Sequence, residues 1–287
     1  MSKDVALVLS SGGARGLAHI GAIQELEAQG YRITSIAGCS MGALIAGVYA
    51  AGKLDDFREW MRTINKKKML ELTDFSLSLN HLVKGNRIIE AIMELVPDVP
   101  IEELPIPYCA VATDWNTGRE VVFRKGSLFA AIRASISLPS FFEPVRRDGM
   151  ILIDGGVTNP IPMNRVRRHK GDILVGIDVS GRDYETGTTV QDEPAEQRKQ
   201  SRSLSRQIID KLIPDNLDFN HYTVLSRVST MMIRQNSLLM AQLAKPDVLV
   251  DIRISRYGGF DYDKSEKLIV IGRQKTRHTL NKYHSNK

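Results

Sequence analysis

The stretch Ile33-Thr34-Ser35-Ile36-Ala37-Gly38-Cys39-Ser40-Met41-Gly42-Ala43-Leu44-Ile45-Ala46 decides the fold. Ile33 to Ala37 is short and largely apolar, as a strand inside a sheet is. Gly38 to Gly42 reads as a sharp turn, and Ala43 to Ala51 as a helix of small residues closed by Gly52. The turn carries the pattern G-x-S-x-G. Between a strand and a helix, such a bend lifts the Ser40 hydroxyl clear of the sheet and sets it at a helix N-terminus. The flanking glycines remove Cβ atoms that would clash in so tight a turn. Cys39 reads as a small buried side chain, because the exposed apex of the bend is the central residue.

Upstream, Val5 to Leu9 is a continuous apolar run typical of a strand buried on both faces. It ends in Ser10-Ser11-Gly12-Gly13-Ala14-Arg15-Gly16, and a helical pattern follows through Ile20, Ile23 and Leu26 to Gly30. Backbone N–H groups of a glycine loop that opens a helix can face an anion, either a bound phosphate or the transient oxyanion of acyl transfer. A purely structural tight turn fits the loop as well. The nucleotide readings lack specific support. The order is G-G-x-x-G rather than G-x-G-x-x-G, the second strand ends in Ala37-Gly38 instead of an acidic residue, and no G-K-[ST] is present.

Downstream, residues 54 to 96 read as helices, stopped by Pro97, Pro100, Pro105 and Pro107. Tyr108 to Thr113 and Glu120 to Phe123 are strands around Asn116-Thr117-Gly118. Leu128 to Ile136 is a helix, Met150 to Ile153 a strand closed by Asp154-Gly155-Gly156, and Ile173 to Val179 another buried strand. Strands alternating with helices predict an α/β fold with a mainly parallel sheet between helical layers. Residues 181 to 203 are polar without an apolar period and read as a flexible insertion. A helix at about 218 to 243, a strand at Val248 to Ile254 and a basic helix near 264 to 282 are expected to pack on the core.

Within the first of these helices, Val224, Leu225, Val228, Met231, Met232, Leu239 and Leu243 form a stripe interrupted by Gln235-Asn236, and Ile233, Leu238 and Met240 a second apolar face. The simplest reading is a core helix between the sheet and the terminal helix. An acyl groove or a subunit interface is the alternative.

The 287 residues are 43% hydrophobic and 25% charged, ordinary for a globular protein, with a formal net charge of +6. That charge permits contact with an anionic membrane surface or acidic partner. The cations are scattered, with only Lys66-Lys67-Lys68 and Arg198-Lys199 as tight groups, so no nucleic-acid face is expected. Cys39 and Cys109 lack metal-type spacing and fit a reducing compartment. No run reaches the length of a signal-peptide core or membrane span, so a cytoplasmic protein with at most peripheral membrane contact is expected.

Ser40 needs a base. Asp154 ends a strand and is followed by two glycines; Asp114 and Asp178 also sit at strand ends and compete. One strand–helix unit precedes Ser40, too little for an α/β-hydrolase, in which several strands precede the elbow. His19, His81, His169, His221, His278 and His284 lie in helix, loop or tail contexts without glycine support. A Ser/Asp dyad without His follows.

Taken together, these motifs resemble the patatin-like phospholipase family. Gly12-Gly13-Ala14-Arg15-Gly16 is similar to its oxyanion loop, Gly38-x-Ser40-x-Gly42 to its nucleophile elbow and Asp154-Gly155-Gly156 to its catalytic D-G-[GA]. Ala134-Ser-Ile-Ser-Leu-Pro-Ser-Phe-Phe-Glu-Pro144 resembles its proline-bearing block, and Ala112-Thr113-Asp114 with Thr117-Gly118 the block before it. Ser11 stands where many members carry another glycine, a change that spares the backbone donors.

The resemblance covers about residues 5 to 180. It implies a three-layer α/β/α sandwich and esterase or phospholipase A-type acyl hydrolysis of lipid or small ester substrates through Ser40 and Asp154, with no metal or organic cofactor. It gives Asp114 and Asp178 no role as base. The expected organisation is a catalytic core over residues 1–180, the insertion over 181–203, and C-terminal helices and a strand over 204–287. Nothing in the sequence fixes the oligomeric state.

For Asp154 to act as base near neutral pH, burial beside the apolar 138–142 segment must raise its pKa. Arg15 either adds positive field at the oxyanion or bonds local carbonyls. A non-catalytic anion- or lipid-binding module on the same fold is the alternative function.

Overall fold

The computed structural model describes residues 3–64, 68, 90–92, 94–96, 98–139, 142–181, 221–254, 257–259 and 261–285. The expected insertion at 181–203 lies outside the described residues except for Gly181, as do His81 and both tight basic groups except Lys68.

Eight strands form one sheet: β1 (Asp4–Leu9), β2 (Arg32–Cys39), β3 (Tyr108–Asp114), β4 (Glu120–Phe123), β5 (Val145–Arg147), β6 (Met150–Asp154), β7 (Ile173–Asp178) and β8 (Val248–Asp251). The hydrogen-bonded path runs β5-β6-β3-β2-β1-β7-β8, with β4 also on β3. The pairings β3-β2, β2-β1, β1-β7 and β7-β8 are parallel; β3-β4, β3-β6 and β5-β6 are antiparallel. The mainly parallel sheet is therefore present, with an antiparallel end.

The register at β3 positions the site. Ala110 and Val111 pair with both β2 and β4, while Ala112 and Thr113 pair with both β4 and β6. A strand has only two edges, so β4 takes one and β2 and β6 follow each other along the other. Where β2 stops at Cys39, β6 continues with Asp154 opposite Ala112.

Helices α1 (Ala18–Ala28), α2 (Met41–Ala50), α3 (Leu54–Thr63), α4 (Leu128–Ser135) and α6 (Ser265–Ser285) share one core with Val5, Leu7 and Leu9, on one face of the sheet. The other face, with Ala6, Val8, Ala37 and Cys109, is covered by Ile161, Met163 and Val166 and by Met240, Ala241 and Ala244 of α5 (His221–Ala244). The split of odd and even residues of β1 between the two cores is the period-2 alternation of a strand buried on both faces.

Helix α6 lies directly on α1. A Cβ on Gly21 would stand 1.9 Å from the Ile269 carbonyl, and one on Gly272 1.9 Å from that of Ala18. Buried Glu25 accepts from Arg273 at 3.1 Å and from Arg277 at 2.9 Å, which holds its carboxyl down at a pKa of about 2 despite burial.

Helix α5 departs from expectation. Val224, Val228, Met231, Met232, Leu239 and Leu243 are exposed, Leu243 by 78%. The residues on its opposite side, around Met240 and Ala244, meet the sheet, and the terminal helix packs on the other face. The core-helix reading is therefore corrected: α5 has apolar residues all round, and among the described residues only one side is covered. The side chains of His221 and Leu225 lie outside the described residues.

Candidate active site

At the carboxyl end of β2 the chain turns into α2 at Ser40, whose φ of 55° and ψ of −125° put a non-glycine residue in the sparsely populated left-handed half of conformational space. The turn is tight. A Cβ on Gly38 would sit 2.3 Å from the Gly42 carbonyl oxygen, and one on Gly42 2.4 Å from that of Leu9 at the end of β1. No side chain larger than hydrogen fits at either position.

The bend is also tied from outside. Ser40 N–H donates to Ser135 Oγ at 2.8 Å, and Ser135 Oγ–H donates to the Val111 carbonyl at 2.7 Å. Two residues on, the Ser137 carbonyl accepts the Asp154 N–H at 2.9 Å. The end of α4 thus holds both the serine and the aspartate. Sequence reasoning quoted Ser135 and Ser137 within a motif but gave them no role. A serine near a helix end reads as an ordinary turn residue, because its partners lie far away along the chain.

Ser40 Oγ donates to Asp154 Oδ2 at 2.5 Å. The other carboxylate oxygen accepts the Gly156 N–H at 2.7 Å, and the Thr113 hydroxyl donates to the Asp154 carbonyl at 3.1 Å. Asp154 is only 3% exposed. Burial pushes its pKa up to about 6, against the opposing pull of hydrogen bonds from Ser40, Gly156 and Cys39. Leu138 and Pro139 of the expected apolar wall are half-buried, while residues 140–141 lie outside the described residues.

The rivals are placed elsewhere. Asp114 accepts from the Thr117 hydroxyl at 2.7 Å and closes the β3–β4 turn. Asp178 is buried and takes Arg234 of α5 at 2.9 Å. Cys39 and Cys109 are buried and unpaired, and burial raises the Cys39 thiol well above its usual range, so it carries no thiolate. His19 Nε2–H donates to the Ser10 carbonyl at 2.9 Å, and burial lowers its pKa to about 4, leaving it neutral. Among the described residues, no histidine is hydrogen-bonded to Ser40 or Asp154.

The glycine loop follows β1. Ser11 N–H donates to the Pro160 carbonyl at 2.8 Å and Ala14 N–H to that of Gly259 at 2.8 Å. Gly13 has a φ of +57°, and a Cβ there would stand 2.6 Å from the Gly259 oxygen. Among the described residues no carbonyl takes the N–H of Gly12 or Gly13. Gly16 packs on Met41, where a Cβ would meet Cγ at 2.4 Å. Arg15 is buried and its Nε donates to the Gly12 carbonyl at 3.4 Å, as the local-carbonyl reading has it. Of the five loop residues, Ala14 has its N–H already engaged. Tyr262, in the short turn Tyr262–Lys264, was not anticipated. Burial and then the charge of Asp154 push its phenol up to about 12.

Comparisons with known proteins point to one family. The profile of the patatin-like phospholipase family matches residues 7–166. An uncharacterised NTE family protein of Mycobacterium tuberculosis is 46% identical over 180 residues, 63% of this chain and 50% of that protein. Patatin-like phospholipase domain-containing protein 6 of Mus musculus is 32% identical over 189 residues, 63% of this chain and 14% of that protein. Neuropathy target esterase sws of Drosophila melanogaster is 30% identical over 188 residues, 63% of this chain and 13% of that protein. The matched part spans half or less of each of these relatives.

Proposed function

We propose, since the chain belongs to the patatin-like phospholipase family, that it is a serine lipid acyl hydrolase in which Ser40 is the nucleophile and Asp154 the base. The observation that carries this reading is the 2.5 Å hydrogen bond from Ser40 Oγ to the buried Asp154 carboxylate at a strained elbow.

Asp154 Oδ2 takes the Ser40 proton as Oγ attacks the ester carbonyl, and the carbonyl π pair moves onto oxygen. The N–H groups of Gly12 and Gly13, which no carbonyl of the described residues takes, stabilise that oxyanion. Collapse expels the alcohol, which leaves with the proton from Asp154. Water then attacks the acyl-enzyme, Asp154 takes its proton, and Ser40 regains it as the acid departs. A pKa of about 6 leaves Asp154 ionised at neutral pH yet basic enough to share the serine proton. Gly156 N–H on the other carboxylate oxygen fixes the orientation of the carboxylate. The Ser135 and Ser137 contacts support the same pair by fixing their backbones.

The rival reading, a non-catalytic anion- or lipid-binding module, has one observation in its favour: Ala14 N–H is already taken by Gly259. A serine-directed fluorophosphonate separates the two. Catalysis requires labelling of wild-type protein and none of Ser40→Ala, together with hydrolysis of a p-nitrophenyl ester panel that Ser40→Ala lacks. Unlabelled wild-type protein without turnover establishes the module instead.

A further inference from the structure

Helix α5 is anchored at its carboxyl half and projects at its amino half. Met240, Ala241 and Ala244 pack on the sheet. One turn and a half earlier, Arg234 donates to Asp178 at 2.9 Å and to Asp251 at 3.0 Å, the last residues of β7 and β8. The helix runs antiparallel to β8, which it enters through Pro246, so His221 to Ile233 lie beyond the carboxyl edge of the sheet. At the helical rise that overhang reaches roughly 20 Å.

The outward side of the helix carries an apolar stripe interrupted by exposed Gln235 and Gln242. Val224, Val228, Met231, Met232, Leu239 and Leu243 fall within about 120° of one another at 100° per residue and are all exposed. The stripe begins on the overhang and continues beside the candidate site. Asn236 Nδ2 donates at 3.3 Å to the carbonyl of Val157, which is itself exposed and closes the turn that Asp154 opens. The helix contains no Asp or Glu, and exposed Arg227 flanks the stripe. An apolar face bordered by positive charge, on a chain of net charge +6, matches an apolar phase bordered by negative charge.

We infer that the outward face of α5 docks on the surface of a lipid aggregate with anionic headgroups, and that docking there turns the carboxyl edge of the sheet, with Ser40, towards the lipid. The inference extends the proposed lipid hydrolysis by naming the surface on which it takes place, and rests on that reading only for its purpose. Binding itself needs no catalysis.

The test uses the whole chain. Flotation with vesicles of phosphatidylcholine alone, and of phosphatidylcholine mixed with phosphatidylglycerol, is measured for wild type, Ser40→Ala, Met232→Glu, Leu239→Glu and Arg227→Glu. Wild type and Ser40→Ala bind the anionic vesicles equally, which separates docking from turnover. Met232→Glu and Leu239→Glu each weaken binding by about tenfold or more, while hydrolysis of a short, water-soluble ester and the thermal midpoint stay at wild-type values. Arg227→Glu leaves the apolar residues of the stripe in place, and it weakens binding to the anionic vesicles alone. Wild-type protein that does not float, or variants that float like wild type, overturns the inference. So does a wild-type dimer in sedimentation that Met232→Glu dissociates, since the face then covers a second copy.

Discussion

The turn after β1 and the turn after β2 each leave a buried parallel strand at its carboxyl end and lead into a helix, yet they are held by different parts of the chain. The elbow at Ser40 is locked from within residues 9–135, by the carbonyls of Leu9 and Ser10 against Gly42 and by Ser135 on its N–H. The loop at Gly12–Gly16 is held by a remote segment, through the Gly259 carbonyl on Ala14 N–H and against Gly13. Close backbone approach shapes both turns, and each has a hydrogen bond from outside it: the elbow from Ser40 N–H to Ser135 Oγ, the loop from Ala14 N–H to the Gly259 carbonyl. The first arrangement engages the N–H of Ser40 itself; the second leaves the N–H groups of Gly12 and Gly13 without a carbonyl partner among the described residues.

Several substitutions break or sharpen that contrast. The largest effect belongs to the pair the elbow serves. Ser40→Ala and Asp154→Asn each lower kcat by about 10⁴-fold or more, and the double mutant loses little beyond either, because the two act as a unit. Losses that multiply in steady-state assays of the three proteins would falsify the dyad. Next comes the elbow itself. Gly42→Val drives a branched side chain into two carbonyls and costs more than about 3 kcal/mol, so denaturant melts should find little folded protein.

The third effect is on pH. kcat/KM rises with pH to about 6 and then flattens, as Asp154 ionises. Stability runs the other way. The folded-state value lies above the unfolded 3.8, so the folded protein binds the extra proton between the two, and stability falls as pH rises through that window. The buried charge costs about 3 kcal/mol above it. Asp154→Asn should therefore melt above wild type near neutral pH and level with it at about pH 4; a constant difference across pH would place the pKa elsewhere.

Smaller still, Ser135→Ala leaves the Ser40 N–H without its acceptor. The expected loss is about 1–2 kcal/mol of stability and about tenfold in kcat at unchanged KM. The smallest effect tests the loop. Gly259→Ala meets nothing within 4 Å and keeps its carbonyl, so stability and turnover stay within about 0.5 kcal/mol of wild type. Gly13→Ala, at φ +57° against the same carbonyl, lowers turnover severalfold.

Most of the parallel half was legible in the sequence because its signals are local. Val5 to Leu9, the glycine turns and the small-residue helix announce themselves within a few residues. Strand β5 passed unread: Val145–Arg147 is three residues long, mostly exposed, and shows no alternation. The antiparallel placement of β6, which brings Asp154 beside Ser40, depends on pairing with a strand about 40 residues earlier, and no local pattern records a partner. The same holds for Ser135 and Gly259, whose roles are defined by what they touch. For α5 the apolar residues were seen, but burial was assumed on both sides. An apolar face signals that something covers it, not what that is.

The crossing of α1 and α6 has a consequence for how the chain comes to be folded. Ala18–Ala28 and Ser265–Ser285 meet at backbone contact, with Glu25 between two arginines of the later helix. Translation proceeds at roughly 5–20 residues per second, so the first helix waits on the order of 10–50 s for its covering. During that interval the side that carries Gly21, and a carboxylate destined for burial, stand open to solvent and to chaperones. Contacts so distant in sequence also close late and slowly, so the covering of α1 by α6 is expected among the last steps of folding.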